Sequence, residues 1–212
     1  MYKKENLKYT LDRLYECRNI EITNLWQRSV FLSVFLILCF SAYGFLASQL
    51  IDKFTNEKRD IEAELLISLI CVFISMVGMI FSIIWIYMGK GSKAWYEVYE
   101  RAISKFEKKY KKKLKIPKKY IMGKMKLKKT KKENKIFSTK AGGFSPSKIN
   151  IAIGQISFIL WCLFTVIHVT FNLIFSEKFD IYSILTMLII FIFSIVLVYI
   201  IFFYEHIKSS FL

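Results

Sequence analysis

Four stretches of this chain hold no Asp, Glu, Lys or Arg, and each is long enough to cross a lipid bilayer. They cover residues 30–51, 65–88, 149–175 and 181–204, which makes them 22, 24, 27 and 24 residues long. A helix rises 1.5 Å per residue, so about 20 apolar residues span the roughly 30 Å of hydrocarbon. Lipid offers the backbone no hydrogen-bond partners, so a run of this kind must pair its own N–H and C=O groups as a helix. The predicted fold class is therefore all-α: a polytopic membrane protein with four transmembrane helices in two hairpins.

The charges lie between these runs. Residues 89–148 hold 21 Lys and Arg against 4 Asp and Glu, so this one segment accounts for the formal net charge of +16. Residues 1–29 carry six cations, whereas the connections 52–64 and 176–180 carry three and one. Positively charged segments are retained on the cytoplasmic side, which predicts N-in, C-in topology with external turns at 52–64 and 176–180. Trp26, Trp85, Tyr87, Tyr199 and Tyr204 then fall at the inner interface, where amphipathic rings belong.

Two amphipathic helices are expected to form a cytosolic layer. The first occupies residues 5–29, with Leu7, Leu11, Leu14, Ile22 and Leu25 on one face, Arg18 paired to Glu21 one turn on, and Trp26 and Arg28 at the membrane. Gly89-Lys90-Gly91 is expected to break the second span, and Ser92 to cap a new helix. That helix carries Trp95, Tyr99, Ala102, Phe106, Tyr110 and Leu114 as an aromatic stripe, facing the N-terminal helix or a second copy. Glu97 with Arg101 and Glu107 with Lys111 would pair on its exposed side. The candidate interface comprises Arg18, Glu21, Trp26 and Arg28 with Ser92, Lys93, Trp95, Tyr99 and Phe106. Pro117 ends the helix, residues 118–140 form a lysine tract, 141–148 a turn-rich approach to the third span, and 205–212 a short cytosolic tail.

Small and polar residues recur at helical steps inside the spans. Ser41, Gly44 and Ser48 line the first, and Ser68, Cys71, Ser75, Gly78 and Ser82 the second. Such seams let backbones approach closely where apolar burial gives no drive to associate. The third span presents Gly154, Ser157, Trp161, Thr165, His168 and Asn172. Either of the last two faces could pack against a helix or line a pore. His168 could sense pH as an intramembrane ionisable group, or be a neutral imidazole satisfied by Thr165 and Asn172.

Three motifs, CRNIEITNLWQRS at 17–29, GKGSKAWYEVYE at 89–100 and FSPSKIN at 144–150, resemble the RipA family of octameric membrane proteins from bacteria. They also match in order and in placement beside the spans. The resemblance implies a homo-oligomer in the bacterial inner membrane, and it carries no established biochemical activity.

No catalytic set emerges from the residues themselves, and no enzymatic activity is expected. Cys17, Cys39, Cys71 and Cys162 show no CxxC spacing, and His168 and His206 are the only histidines. No metal or other cofactor is expected. The expected partners are further copies of the chain, anionic lipid of the inner leaflet attracted by the lysines, and a cytosolic protein. Nucleic acid is not expected, because nothing accompanies the lysines that would read bases. The expected function is a non-enzymatic scaffold or regulatory protein acting through its basic cytosolic layer; the alternative is an oligomeric channel.

Overall fold

A computed structural model describes residues 4–55, 60–124, 143–175 and 181–202. Four helices account for nearly all of them: α1 (Lys4–Thr55), α2 (Ile61–Leu114), α3 (Pro146–Phe175) and α4 (Ile181–Phe202), with a single 3₁₀ turn at Lys118–Tyr120. The protein is all-α, and among the described residues there is no strand. Helices α1, α2 and α3 are each long and apolar enough to cross a membrane, and α4 holds a shorter apolar stretch at Ile184–Val196.

The expected separate amphipathic helices are continuous with the spans. α1 has 52 residues and α2 has 54, so each is roughly 80 Å long, more than twice the hydrocarbon thickness. The predicted break at Gly89 is absent. A helical glycine costs only about 1 kcal/mol relative to alanine, too little to end a helix whose flanks are well packed. Close approach is what Gly89 serves: a Cβ there would lie 3.1 Å from Ile151 Cγ1 on α3.

The helix ends follow from local chemistry. Asp60 Oδ1 accepts the Ala63 N–H at 3.1 Å, capping the start of α2. Lys115 takes the left-handed conformation with φ 56°, and the Ile116 N–H donates to Lys111 O at 3.0 Å. That bond closes a Schellman turn, and Pro117 prevents the helix from resuming. α3 begins with Pro146 at its first position, where a missing N–H costs nothing.

The chain divides into two compact units: Met1–Val30 with Ile86–Ala152, and Phe31–Trp85 with Ile153–Leu212. In the second unit the core is built from Leu32, Leu36, Leu65, Val72, Met76, Met79 and Trp161. Phe40 stacks on Trp161 at 4.2 Å between ring centroids, and Tyr43 on Phe164 at 4.3 Å. In the first unit Leu7, Leu25, Ile103 and Ile121 are the buried apolar residues.

Two sequence expectations change here. The aromatic stripe on α2 is only half-buried; the fully covered face is Ser92, Ile103 and Glu107. Glu107 buries because its carboxylate has two donors to satisfy it, so it does not reach Lys111 in solvent. The lysine tract expected at 118–140 lies mostly outside the described residues, as does the tail; of the approach to the third span, 143–148 are described, and α3 already begins within it at Pro146.

Candidate functional site

In the first unit the three motifs meet. The motif before the first apolar run contributes Arg18, Arg28 and Ser29 from α1. The motif after the second contributes Ser92, Tyr96 and Glu100 from α2, and the third contributes Ser147 and Asn150 from α3. Arg28 Nη1 donates to Ser92 Oγ at 3.1 Å, and Asn150 Nδ2 donates to Ser29 Oγ at 2.7 Å. The Ser29 hydroxyl in turn donates to Leu25 O at 2.7 Å. Tyr96 and Ser147 pair through their hydroxyls at 2.7 Å. Arg18 donates through Nε and Nη2 to one oxygen of Glu100, at 3.0 and 2.8 Å.

These contacts differ in what they contribute. The Arg18–Glu100 pair is partly exposed and is worth about 1 kcal/mol at most. Ser29, Ser92, Ser147 and Asn150 are buried, so removing one partner leaves a desolvated polar group, at about 1–3 kcal/mol. The buried bonds therefore set which helix faces which.

A second cluster lies further along the same helices. Tyr15 OH donates to Glu107 Oε1 at 2.8 Å, and the Met122 N–H donates to Glu107 Oε2 at 2.7 Å. One carboxylate, 3% exposed, thus joins α1, α2 and the segment that follows α2. Ile121 beside it is 1% exposed. Burial, reinforced by the bond to Glu107, pushes the Tyr15 hydroxyl up to about 12 from its usual 10. A raised phenol pKa means that folding favours the protonated form, so the contribution is whole below pH 10 and is lost as pH rises toward 12. Tyr15→Phe should therefore destabilise the protein at pH 8, with the gap from wild type shrinking above pH 10. Chemical denaturation in detergent at pH 8 and 11 measures this.

Of the predicted interface, the structure brings Arg18, Arg28 and Ser92 into the junction. Arg18 takes Glu100 as its partner, not Glu21 as expected, because Glu100 arrives from α2 with both guanidinium nitrogens in reach. Ser92 accepts from Arg28 within a continuous helix, so it is no cap. Lys93 pairs with Glu97 at 3.4 Å, while Arg101 donates to the Glu97 backbone carbonyl. Trp26 is 50% exposed; Trp95 and Phe106 sit against Tyr99 and Tyr110 of their own helix.

The seam of α2 is engaged inside the second unit. Ser68, Cys71, Ser75 and Ser82 are fully buried. Ser75 and Ser82 donate back to the carbonyls of Cys71 and Gly78, which removes their polarity from the face. A Cβ on Gly78 would lie 2.3 Å from the Trp161 ring, so only glycine admits that tryptophan. Ser41, Gly44 and Ser48 on α1 are exposed, with nothing within 4 Å of a Cβ on Gly44.

His168 is buried with a hydroxyl at each ring nitrogen: Ser68 Oγ 3.1 Å from Nδ1 and Tyr43 OH 3.1 Å from Nε2. A hydroxyl can donate or accept, so either neutral tautomer is satisfied. The partners expected from α3 itself are not used. Thr165 donates to Trp161 O, and Asn172 Nδ2 donates to Thr186 of α4 at 3.3 Å. Residues three or four apart on one helix stack along it, and a ring pointing away from that helix finds its partners on others.

The residues missed by sequence reading are Tyr15, Ser29, Tyr96, Glu100, Glu107, Ser147 and Asn150. Ser29, Tyr96, Glu100, Ser147 and Asn150 stand inside the three motifs, which was the available signal. Tyr15 carried none, and the i,i+4 pattern at Glu107 pointed to Lys111 on its own helix.

A family model described as the octameric membrane protein family matches residues 8–171, which takes in all three motifs. No curated protein and no solved structure matches.

Proposed function

The chain belongs to the octameric membrane protein family, and from that premise we propose that it is a non-enzymatic scaffold of the bacterial inner membrane. The first unit lies in the cytosol, both termini face inward, and α4 is the fourth span. The observation that carries this reading is how the three motifs spend their polar side chains. Arg28, Ser29, Ser92, Tyr96, Ser147 and Asn150 bond to one another across three helices, so they hold a surface in shape. Binding falls to the outside of that unit. Exposed Lys118, Lys119 and Lys124 add attraction to anionic headgroups, at roughly 1 kcal/mol for each lysine near the surface.

The channel alternative draws no support from the two faces first considered for a pore. Within one protomer the Ser68–Ser82 seam meets the Gly154–Asn172 face, with Gly78 under Trp161 and Ser68 beside His168, while Asn172 turns to Thr186 of α4. Ion flux into liposomes tests the choice. Purified octamer is expected to leave the flux at the protein-free rate. A conductance that disappears with Ser75→Leu would establish the channel instead.

A further inference from the structure

A shallow, open groove runs along α1 in the first unit, lined by Asp12, Glu16, Asn19, Thr23 and Gln27. These residues fall at steps of four, three, four and four, so they share one helix face. Ile20 at its edge is 48% exposed, an apolar residue left in the open within a polar face. Glu16 pairs with Arg13 at 2.7 Å, with both side chains more than half exposed.

The same unit has a second open face with the opposite sign. Glu97, Arg101, Lys105, Lys108 and Lys112 on α2 are all exposed and fall at steps of four, four, three and four. Four of the five are cations. The two faces belong to antiparallel helices whose register is fixed by Arg28–Ser92, Arg18–Glu100 and Tyr15–Glu107. Across that register Asp12 stands level with Lys108, Glu16 with Lys105, Asn19 with Arg101, and Thr23 with Glu97.

Copies inserted the same way into one membrane are related by rotation about its normal, so a residue on one copy meets residues of equal depth on the next. A closed ring also joins two different faces of the protomer at every contact. We infer that the α1 groove seats a second copy of this chain, through the cationic α2 face of that copy. Resting on the octameric reading above, the inference names the surfaces that build the assembly. Asp12 meets Lys108 and Glu16 meets Lys105 as opposite charges. The Asn19 amide oxygen accepts from Arg101, and the Thr23 hydroxyl donates to Glu97. Each protomer carries one of each face, so eight contacts close with no face left over. A polyanion or an anionic vesicle is a poor occupant, because Asp12 and Glu16 repel it.

Cross-linking tests this on the full chain in nanodiscs. In a background with the four cysteines replaced by alanine, Asp12→Cys with Lys108→Cys should give a ladder up to eight subunits with a short bismaleimide. Either single cysteine should give at most dimers. Charge reversal supplies a second measurement that needs no reagent. Asp12→Lys with Glu16→Lys should lower the octamer fraction at least tenfold by native mass spectrometry. Adding Lys105→Glu and Lys108→Glu to the same chain should restore it. An intact octamer in the reversed variant with no ladder from the paired cysteines overturns the interface and leaves the octamer standing. A reversed variant that keeps eight subunits but loses another bound protein gives the groove to that protein, and likewise overturns it. A wild-type mass other than eight subunits overturns the octameric reading itself.

Discussion

Leucine in place of Gly78 is expected to lower the melting temperature of the detergent-solubilised protein by on the order of 10 °C. The site has no room to adjust by small shifts. A Cβ would lie 2.3 Å from Trp161 Cε2 and 2.6 Å from Nε1, so even the first added atom overlaps the ring. Trp161 is fully buried, stacks on Phe40 at 4.2 Å, and meets Tyr43 and Phe164 edge-on. Moving it aside disturbs all three contacts. Overpacking a core costs about 1–3 kcal/mol and occasionally more, and one kcal/mol shifts the melting temperature of a chain this size by about 2–4 °C. Trp161→Ala alone should also cost about 3–5 kcal/mol by leaving a cavity. The pair of changes is then expected to cost less than their sum, since the leucine occupies space the indole has vacated. Strict additivity in that double-mutant cycle would show that Gly78 and Trp161 do not share the space.

Glu107→Ala is expected to release the segment after α2 from the helices while the second unit stays folded. It removes the acceptor of two hydrogen bonds at once, from the Tyr15 hydroxyl and from the Met122 amide. Hydrogen bonds to a charged group are worth about 1.5–3 kcal/mol each. Water can replace part of that at Met122, which is only half-buried, so a net loss of about 2–4 kcal/mol is expected. Deuterium uptake over residues 115–124 should rise to the rate of an unprotected peptide, and trypsin should cut first at Lys118 and Lys119. Glu107→Gln keeps one acceptor oxygen and should fall between the two. Unchanged protection of the Met122 amide in Glu107→Ala would mean that Ile121 alone holds the segment.

The contrast between Gly78 and Gly89 shows what sequence reading can reach. Gly78 sits in a regular run of small residues, and periodicity placed it on a packing face without saying what packed there. The answer lies at Trp161, 83 positions along the chain, and no local pattern links the two. Gly-Lys-Gly is a turn signal, and by that rule Gly89 breaks the helix. That rule weighs only the backbone, and here a neighbouring helix gave the glycine another purpose. For Arg18 and Glu107 a single sequence offers only partners one turn away on their own helices. Both found stronger ones on another helix. The apolar length of α1, α2 and α3 was readable because it depends on local properties of the chain. The junction was readable only as three unexplained motifs.

The junction also imposes a schedule on synthesis. Arg28 is bonded to a residue 64 positions later, Tyr15 to one 92 later, and Ser29 is bonded by one 121 later. At roughly 5–20 residues per second, the start of the chain waits about 6–24 s after leaving the ribosome before its last partner exists. During that interval the first amphipathic stretch is made but the junction is unclosed, with the Ser29 hydroxyl lacking its Asn150 donor. A ribosome that stalls before residue 150 therefore leaves an N-terminal stretch that α3 has yet to lock in place.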